Sequence, residues 1–318
     1  MAVLPSRPGV YRFRDTAGRA MYIGRAADLR ARVASYWGDL ADRRHLRRMV
    51  PQIARVEAVP CASRHEAAWL ERNLLERSKP RWNRVRGGLE VPAYVRLERR
   101  AGAARLRVVH SPEAPATDLV FGPYLGGTRS RLAVDGLDRA LCLDYTADRL
   151  GGFDRDMARV RGVGASVRAD HMRIAAAALG ADAAALAQVT DLLVRRRGDA
   201  AAALAFEVAA RITEEIAALE WLAGEQRVTV PGAGDAVVHG WAGGVLIRLE
   251  VQDGRLNRWA QRACSASAGS SMRSLPRRRA RNSPSQEPWL PIRSSMFTMR
   301  KPPLARCTLP ARTRVKSV

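Results

Sequence analysis

The chain has 318 residues, enough for two domains, and carries a formal net charge of +23. No apolar stretch approaches the roughly 20 residues of a membrane-spanning helix, and the first residues lack the apolar run of a signal peptide. The four cysteines lie far apart, without a CxxC pair. We therefore expect a soluble, cytoplasmic protein without a membrane partner, which excludes the membrane and disulfide-rich secreted classes.

The positive charge falls into two of three blocks along the sequence. Residues 1–100 contain 22 Lys and Arg against 10 Asp and Glu, residues 101–264 contain 20 of each, and residues 265–318 contain 12 against one. A basic folded block favours a polyanionic partner, because contacts with phosphates release counterions from any nucleic acid. The first block therefore predicts DNA or RNA binding, although a basic surface that serves only solubility has the same composition.

The chain opens with a predicted β-hairpin. Residues 9–14 and 19–24 are rich in strand formers, and residues 15–18 between them have turn composition. With a plain four-residue loop, Tyr11 lies opposite Tyr22, and side chains of such a pair project from one face with Cβ atoms about 5 Å apart. Two adjacent phenols also fit ordinary cross-strand packing.

Further elements of the first block are a helix over about residues 28–37 and a third strand over residues 50–60. A basic run between them is a candidate DNA contact, although such a run is also typical of a solvated face. The candidate DNA-binding residues in it are Arg43, Arg44, Arg47 and Arg48.

A second helix is predicted over about residues 64–77, because Ser63 and Glu66 have the spacing of a capping box. On a helical wheel, Glu71 falls in the middle of an apolar arc. The arc consists of Ala67, Leu70, Leu74 and Leu75. A carboxylate on a buried stripe is costly unless it is paired or binds a metal. Glu71 is therefore either a metal ligand or half of a buried Glu–Arg pair.

The rest of the chain has weaker signals. Residues 172–222 are alanine-rich and helical, and the last helix, over residues 200–222, has one apolar stripe. Residues 227–251 predict a short antiparallel meander. All periodicity stops after about residue 262, which predicts a disordered basic tail. That tail is either a nucleic-acid arm or an out-of-frame reading of GC-rich DNA.

Five motifs follow one another in the first block. They are Pro8-Gly-Val-Tyr11, Met21-Tyr-Ile-Gly-Arg-Ala26, Leu29-Arg-Ala-Arg-Val33, Glu66-Ala-Ala-Trp-Leu-Glu-Arg-Asn-Leu-Leu75 and Lys79-Pro-Arg-Trp-Asn83. In this order and spacing they resemble the GIY-YIG nuclease domain of the UvrC excinucleases. The resemblance covers roughly residues 4–97 and implies a metal-dependent nuclease.

The resemblance implies a role for each matching residue. Tyr22 would be the base for the attacking water, Tyr11 would position that water, and Glu71 would hold one Mg²⁺ or Mn²⁺ ion. Arg32 would neutralise the scissile phosphate or the leaving oxygen. The remaining pocket residues would be Arg25, Tyr36 and Asn83. Arg25 replaces the lysine common in UvrC, and a planar guanidinium is not equivalent to an ammonium group.

A fainter resemblance continues beyond the first block. Residues 120–124 are similar to the segment after the UvrC nuclease domain, and residues 204–222 resemble the UVR motif, through which UvrC meets UvrB. Candidate UvrB-binding residues are Phe206, Glu207, Ala210 and Arg211. The four-cysteine cluster of UvrC is absent, since Cys142 stands alone, so no iron–sulfur cluster is expected. The resemblance does not extend to the RNase H-like half of UvrC, so we expect an architecture like that of short Cho-like homologues.

These observations predict an α+β protein: a small GIY-YIG domain with a mostly antiparallel sheet flanked by helices, then a mostly helical region with a UVR-like hairpin and a β meander. The predicted divisions are 1–100 (nuclease domain), 101–170 (connecting region), 171–226 (helical region), 227–262 (meander) and 263–318 (disordered tail).

The predicted function is a metal-dependent DNA endonuclease of nucleotide excision repair. It would make the 3′ incision in a complex with UvrB, and meet UvrA indirectly. One alternative is a GIY-YIG nuclease that cuts branched DNA without UvrB. Another is a catalytically degenerate adaptor that binds DNA or a partner.

Overall fold

The structure, a computed structural model, describes residues 4–38, 45–85, 90–242, 245–263 and 297–300. These residues form seven α-helices and ten β-strands in three antiparallel sheets. The α+β class predicted from the sequence is confirmed. Among the described residues no single helix is long and apolar enough to cross a membrane, although one bent pair, Ala165–Leu179 with Ala183–Ala202, passes on length and composition.

The first sheet is built around β1 (Gly9–Arg14), which pairs with β2 (Ala20–Ala26) on one side and β3 (Arg55–Pro60) on the other. A tight turn joins β1 to β2, and Gly18 in that turn has a φ of +75°, which glycine adopts without steric cost. The predicted third strand begins only at Arg55, after a 3-10 turn over Val50–Gln52.

The register of the hairpin differs from the prediction by two residues. Tyr11 lies opposite Gly24, and Phe13 lies opposite Tyr22, with an irregularity between Phe13 and Arg14. The expected pairing of Tyr11 with Tyr22 is therefore wrong, because the turn is not a plain four-residue loop. Since side chains alternate along a strand, both tyrosines still lie on one face, with ring centroids 6.2 Å apart.

Two helices flank this sheet. The first is short, α1 (Leu29–Ala34), and continues as a 3-10 turn over Ser35–Trp37. The second, α2, spans Arg64–Arg77 as predicted. The Ser63 hydroxyl accepts a hydrogen bond from the main-chain N–H of Glu66 at 3.0 Å. The serine half of the predicted capping box is therefore formed.

A second sheet follows, with strand order β5-β4-β6. Its strands are β4 (Pro92–Arg100), β5 (Ala103–Val109) and β6 (Leu119–Leu125). Because β4 pairs with both later strands, the predicted boundary at residue 100 cuts through this sheet. In the structure, the boundary lies before β4. The local sequence of β4 does not show that this strand pairs with later strands.

Five helices follow the second sheet in the sequence. They are α3 (Gly127–Leu141), α4 (Gly152–Arg161), α5 (Arg168–Leu179), α6 (Ala183–Ala202) and α7 (Phe206–Leu222). The predicted helix over residues 200–222 is wrong at its start, because the chain breaks between α6 and α7, where Leu204 has a φ of +58°. Side chains from α3, α5, α6 and α7 share one core with the sheet.

The meander is present as β7 (Ala236–Ala242), β8 (Val245–Gln252) and β9 (Arg255–Ala263). Its bounds differ from the predicted 227–251: residues 227–230 form only an isolated bridge, Thr229 with Arg255, and β9 lies beyond this range. It packs back onto the first sheet and α2, and its buried Trp259 belongs to the same core as Val10 of β1. The division at residue 227 therefore separates segments that share a hydrophobic core.

One short strand lies in the predicted disordered tail. β10 (Phe297–Arg300) pairs antiparallel with β3. The prediction of disorder is wrong for these four residues, because β3 is otherwise an edge strand whose main-chain groups accept another strand. The rest of the tail, residues 264–296 and 301–318, lies outside the described residues.

Candidate active site

Three tyrosines gather on one face of the first sheet. Tyr11 comes from β1, Tyr22 from β2, and Tyr36 from the turn after α1. The hydroxyls of Tyr11 and Tyr36 are hydrogen-bonded at 2.7 Å, and the rings of Tyr22 and Tyr36 have centroids 6.1 Å apart. Tyr11 and Tyr36 are fully buried, whereas Tyr22 is half-buried. Tyr22 is therefore the phenol of the three that solvent and a substrate can reach.

Gly24 makes this arrangement of rings sterically feasible. A Cβ atom at this position would lie 2.5 Å from the Tyr11 hydroxyl oxygen and 2.8 Å from a ring carbon of Tyr22. Because the two rings lie against the bare backbone of β2, no larger residue fits without displacing them. The close packing of the two rings thus explains why the second motif has glycine at position 24 in this chain.

Burial dominates the electrostatics of the phenols. The pKa of Tyr22 is raised above its usual value, first by desolvation and then by Tyr36 and Glu71, whereas Arg32 lowers it. The pKa of Tyr11 is raised further, again first by burial. Arg32 lies near the cluster, its guanidinium carbon 5.9 Å from the centroid of the Tyr36 ring. Tyr22 is therefore protonated here and needs added positive charge to act as a base.

Glu71 lies on α2 with 22 % of its side chain exposed, and Arg25 of β2 lies beside it, Nε to Oε2, at 3.4 Å. Burial is the main cause that raises the pKa of Glu71, and Arg25 opposes it. The Glu–Arg pair that the sequence left open therefore exists, but its atoms are farther apart than in a normal hydrogen bond.

Sequence reasoning missed Glu90. Its carboxylate accepts two hydrogen bonds from Arg25, from Nη2 at 2.7 Å and from Nη1 at 3.1 Å. No motif marks Glu90 in the sequence. The arginine at position 25 was the available signal, because a guanidinium favours a carboxylate that it can bind with two donors.

Asn83 contacts the main chain of β2. Its side-chain oxygen accepts the N–H of Ile23 at 3.0 Å, and its side-chain nitrogen donates to the carbonyl of Ile23 at 2.8 Å. These bonds fix the segment after α2 beside Tyr22, the residue that precedes Ile23.

The donor set near Glu71 suits a hard divalent cation. Among the described residues, no group of three or more His, Cys, Asp or Glu could hold a metal. Mg²⁺ needs no such group, because it keeps several waters and takes further oxygens from a phosphate. A half-buried carboxylate whose ion pair is long fits this mode of binding.

The other predicted site residues lie on surfaces. Arg47 and Arg48 are exposed, whereas residues 43 and 44 lie outside the described residues. The four candidate UvrB-binding residues are exposed near the start of α7. Arg211, one of them, is already paired with Asp135 of α3 at 2.7 Å.

The sheet, the two motif tyrosines and the helix that carries Glu71 together define a GIY-YIG fold. Residues 7–84 match the family model of the UvrC-like GIY-YIG domain. This part of the chain is a UvrC-like GIY-YIG domain.

The curated relatives extend this similarity past the domain. The UvrABC system protein C of Natronomonas pharaonis is 31 % identical over 284 residues, which are 80 % of this chain and 46 % of that protein. That of Mycolicibacterium vanbaalenii is 32 % identical over 256 residues, 75 % of this chain and 37 % of that one. The chain therefore spans less than half the length of these relatives.

A solved structure is similar over the same domain. It is the magnesium-bound amino-terminal GIY-YIG endonuclease domain of UvrC from Thermotoga maritima, which is 30 % identical and covers 26 % of this chain and 89 % of that one, with a TM-score of 0.24.

Proposed function

We propose that the chain is a divalent-metal-dependent DNA endonuclease whose active site is the tyrosine face of the first sheet. One arrangement carries this proposal: the half-buried phenol of Tyr22 lies beside Tyr36, and Arg32 lies 5.9 Å from the Tyr36 ring. The same strand holds Arg25, which is paired with Glu71 at 3.4 Å. A base, a metal-binding carboxylate and a cation for the phosphate are the groups that phosphodiester hydrolysis needs.

Each residue of the site has its own proposed role in this reaction. Tyr22 takes a proton from the attacking water, directly or through a second water. Glu71 would hold a divalent cation, which would supply positive charge for the phosphate and for the ionised phenol. Arg32 stabilises the negative charge that develops on the phosphate or on the leaving oxygen. Tyr11 is buried and hydrogen-bonded to Tyr36, so it would help to position the water only through its neighbours Tyr36 and Tyr22.

Two chemical features support this division. The phenol of Tyr22 is protonated without added charge, because burial raises its pKa. Arg32 acts in the opposite direction on the same group, so the site already contains part of the positive charge that the reaction requires. Asn83 holds the backbone next to Tyr22 and acts as a positioning residue.

We further infer three functional units. The first consists of residues 7–85 with the meander that packs on them, and it contacts DNA. The second, residues 92–222, contacts protein: Leu204, Phe206 and Val208 are apolar and exposed around the α6–α7 connection. The third is the basic tail, which adds non-specific affinity for DNA. UvrB is the proposed partner of the second unit, because the relatives are components of UvrABC systems.

Within that complex, the proposed reaction is the 3′ incision at a DNA lesion, and Mg²⁺ or Mn²⁺ is the proposed metal. The test is a nicking assay of the full chain on a lesion-bearing duplex, with and without UvrA and UvrB. We expect one metal-dependent nick on the 3′ side of the lesion that requires both proteins.

Each other result contradicts part of the proposal. If the chain cleaves a branched duplex and UvrB does not change that cleavage, the proposed role in a repair complex is wrong. Binding of DNA without any nick in Mg²⁺ or Mn²⁺ makes the chain an adaptor. A Tyr22→Phe variant serves as the control, since it keeps the aromatic packing and removes the hydroxyl.

A further inference from the structure

The guanidinium of Arg25 lies between two carboxylates. Its two Nη atoms donate to Glu90, at 2.7 and 3.1 Å, whereas Nε alone faces Glu71, at 3.4 Å. Arg25 and Glu90 are both partly exposed, with 38 % and 40 % of their side chains accessible. The two Nη groups of the guanidinium, its fork, are thus directed to Glu90, and its Nε edge faces Glu71.

This arrangement matters because Arg25 and a metal ion compete for the same carboxylate. A guanidinium binds a carboxylate most strongly through two parallel hydrogen bonds. Without Glu90, the two Nη groups of Arg25 would be free to bind Glu71, the other carboxylate with which Arg25 is paired. A bidentate pair there would neutralise Glu71 and occupy its oxygens.

Glu90 is itself fixed with respect to α2. Its main-chain carbonyl accepts a hydrogen bond from Nη1 of Arg72, the residue that follows Glu71 in the helix. The side chain of Glu90 reaches β2 through Arg25, so one residue connects the strand that carries Tyr22 to the helix that carries Glu71. A second negative charge near Glu71 also favours a divalent cation there.

We propose that Glu90 is a positioning residue of the metal site, which holds the fork of Arg25 and so keeps Glu71 available to a divalent cation. The proposal rests on the proposed function, in which Glu71 binds that cation. It explains how this chain uses arginine at a position where lysine is common in UvrC: an ammonium group cannot form the bidentate pair, so lysine needs no such partner.

The test measures Mn²⁺ binding to the full chain, by electron paramagnetic resonance of free Mn²⁺ and by calorimetry, without DNA. We expect Glu90→Gln to weaken binding by about tenfold or more, the range for groups that orient metal ligands. Asp144→Asn is the matched control, because Asp144 is a similarly exposed carboxylate paired with one arginine, Arg105 at 3.0 Å, in the other sheet region. It should leave Mn²⁺ binding unchanged.

A double-mutant cycle decides whether Glu90 acts through Arg25. Glu90→Gln should have a much smaller effect in a chain that also carries Arg25→Lys, because lysine has no fork to release. An equal loss of affinity in both backgrounds overturns the proposal and leaves only a general charge effect. Circular dichroism of each variant checks the fold.

Failure of this inference differs from failure of the proposed function. If Glu71→Gln abolishes Mn²⁺ binding and Glu90→Gln leaves it as in the parent chain, Glu71 stays the ligand and the role of Glu90 is wrong. If Glu71→Gln leaves Mn²⁺ binding intact, the metal assignment fails, and the role of Glu90 fails with it.

Discussion

Two regions of the first sheet, the part beneath the meander and the part around β2, use polar groups for opposite purposes. On the face covered by the meander, Arg12 is buried against Glu57, with Nε to Oε2 at 2.8 Å, and its guanidinium lies over the Trp259 ring at 4.1 Å. Glu57 is also paired with Arg14 and Arg55. On the opposite face, the Tyr22 phenol is half-buried. At the edge strand β2, the ion pair between Arg25 and Glu71 of α2 is long.

The difference separates stability from chemistry within one strand. Buried charges that satisfy each other hold the meander on the sheet, and removing one partner leaves the other uncompensated. Groups that lack such complete pairing are available to a metal, a water or a phosphate. Residues 11 and 12 are adjacent in sequence but lie on opposite faces, so their side chains have different neighbours: Tyr36 for Tyr11, and Glu57 with Trp259 for Arg12.

The largest expected effect comes from Glu71→Gln. Because this variant removes the proposed metal-binding charge, cleavage should fall by about 10²–10³-fold in Mg²⁺. Stability should change in the opposite direction. Burial raises the pKa of Glu71, so the ionised form opposes folding, a cost that sets in as pH rises through the folded-state pKa. The neutral amide should therefore increase the free energy of unfolding at pH 7.

Nicking of a duplex and urea unfolding at pH 7 measure the two effects on one preparation. A variant that loses stability, or that cleaves at the normal rate, contradicts the distinction between the two regions.

Beneath the meander, the same type of substitution, Glu57→Gln, should lower the free energy of unfolding and leave cleavage unchanged. It removes the one carboxylate shared by three arginines, so we expect a loss of about 3 kcal/mol in the free energy of unfolding. Cleavage per folded molecule should stay as in the parent chain. Urea titration gives the first quantity, and nicking at a temperature where the variant is folded gives the second.

The second sheet region contains a buried acid that should make stability depend on pH. Burial, then the neighbouring Asp144 and Asp135, raise the pKa of Asp138 to about 7. Because the folded-state pKa is raised, its contribution is present below the unfolded value near 3.8 and is lost as pH rises through about 7. Asp138→Asn should therefore stabilise the chain more at pH 8 than at pH 5.

Thermal melts of the parent and Asp138→Asn at the two pH values measure this difference. An equal shift in Tm at both values would show that Asp138 titrates in its ordinary range.

The smallest expected effect concerns the tail. Removal of residues 301–318 should leave Tm unchanged, whereas removal of residues 264–318 should lower it slightly, because β10 pairs with the edge of β3. The longer deletion should also weaken non-specific DNA binding and reduce its salt dependence, since most of its charged residues are basic. Differential scanning calorimetry and DNA titrations at two salt concentrations distinguish these outcomes.

Local patterns in the sequence determined a large part of this protein. The capping residue Ser63 and the apolar spacing of the helix predicted α2 with its observed bounds. The same spacing placed Glu71 on the inner side of that helix, and local strand patterns predicted two of the three strands of the meander, β7 and β8. Such features depend on residues within a few positions of each other, so periodicity and turn chemistry suffice to predict them.

Contacts between distant segments were decided only by the tertiary structure. The bulge after Phe13 set the register of the tyrosines, and the pairing of β4 with later strands moved the domain boundary. Glu90 reaches Arg25 across 65 positions, and Trp259 covers Arg12 across 247. No local propensity encodes these partners, because each contact depends on how whole elements pack and on which face of the sheet another segment buries.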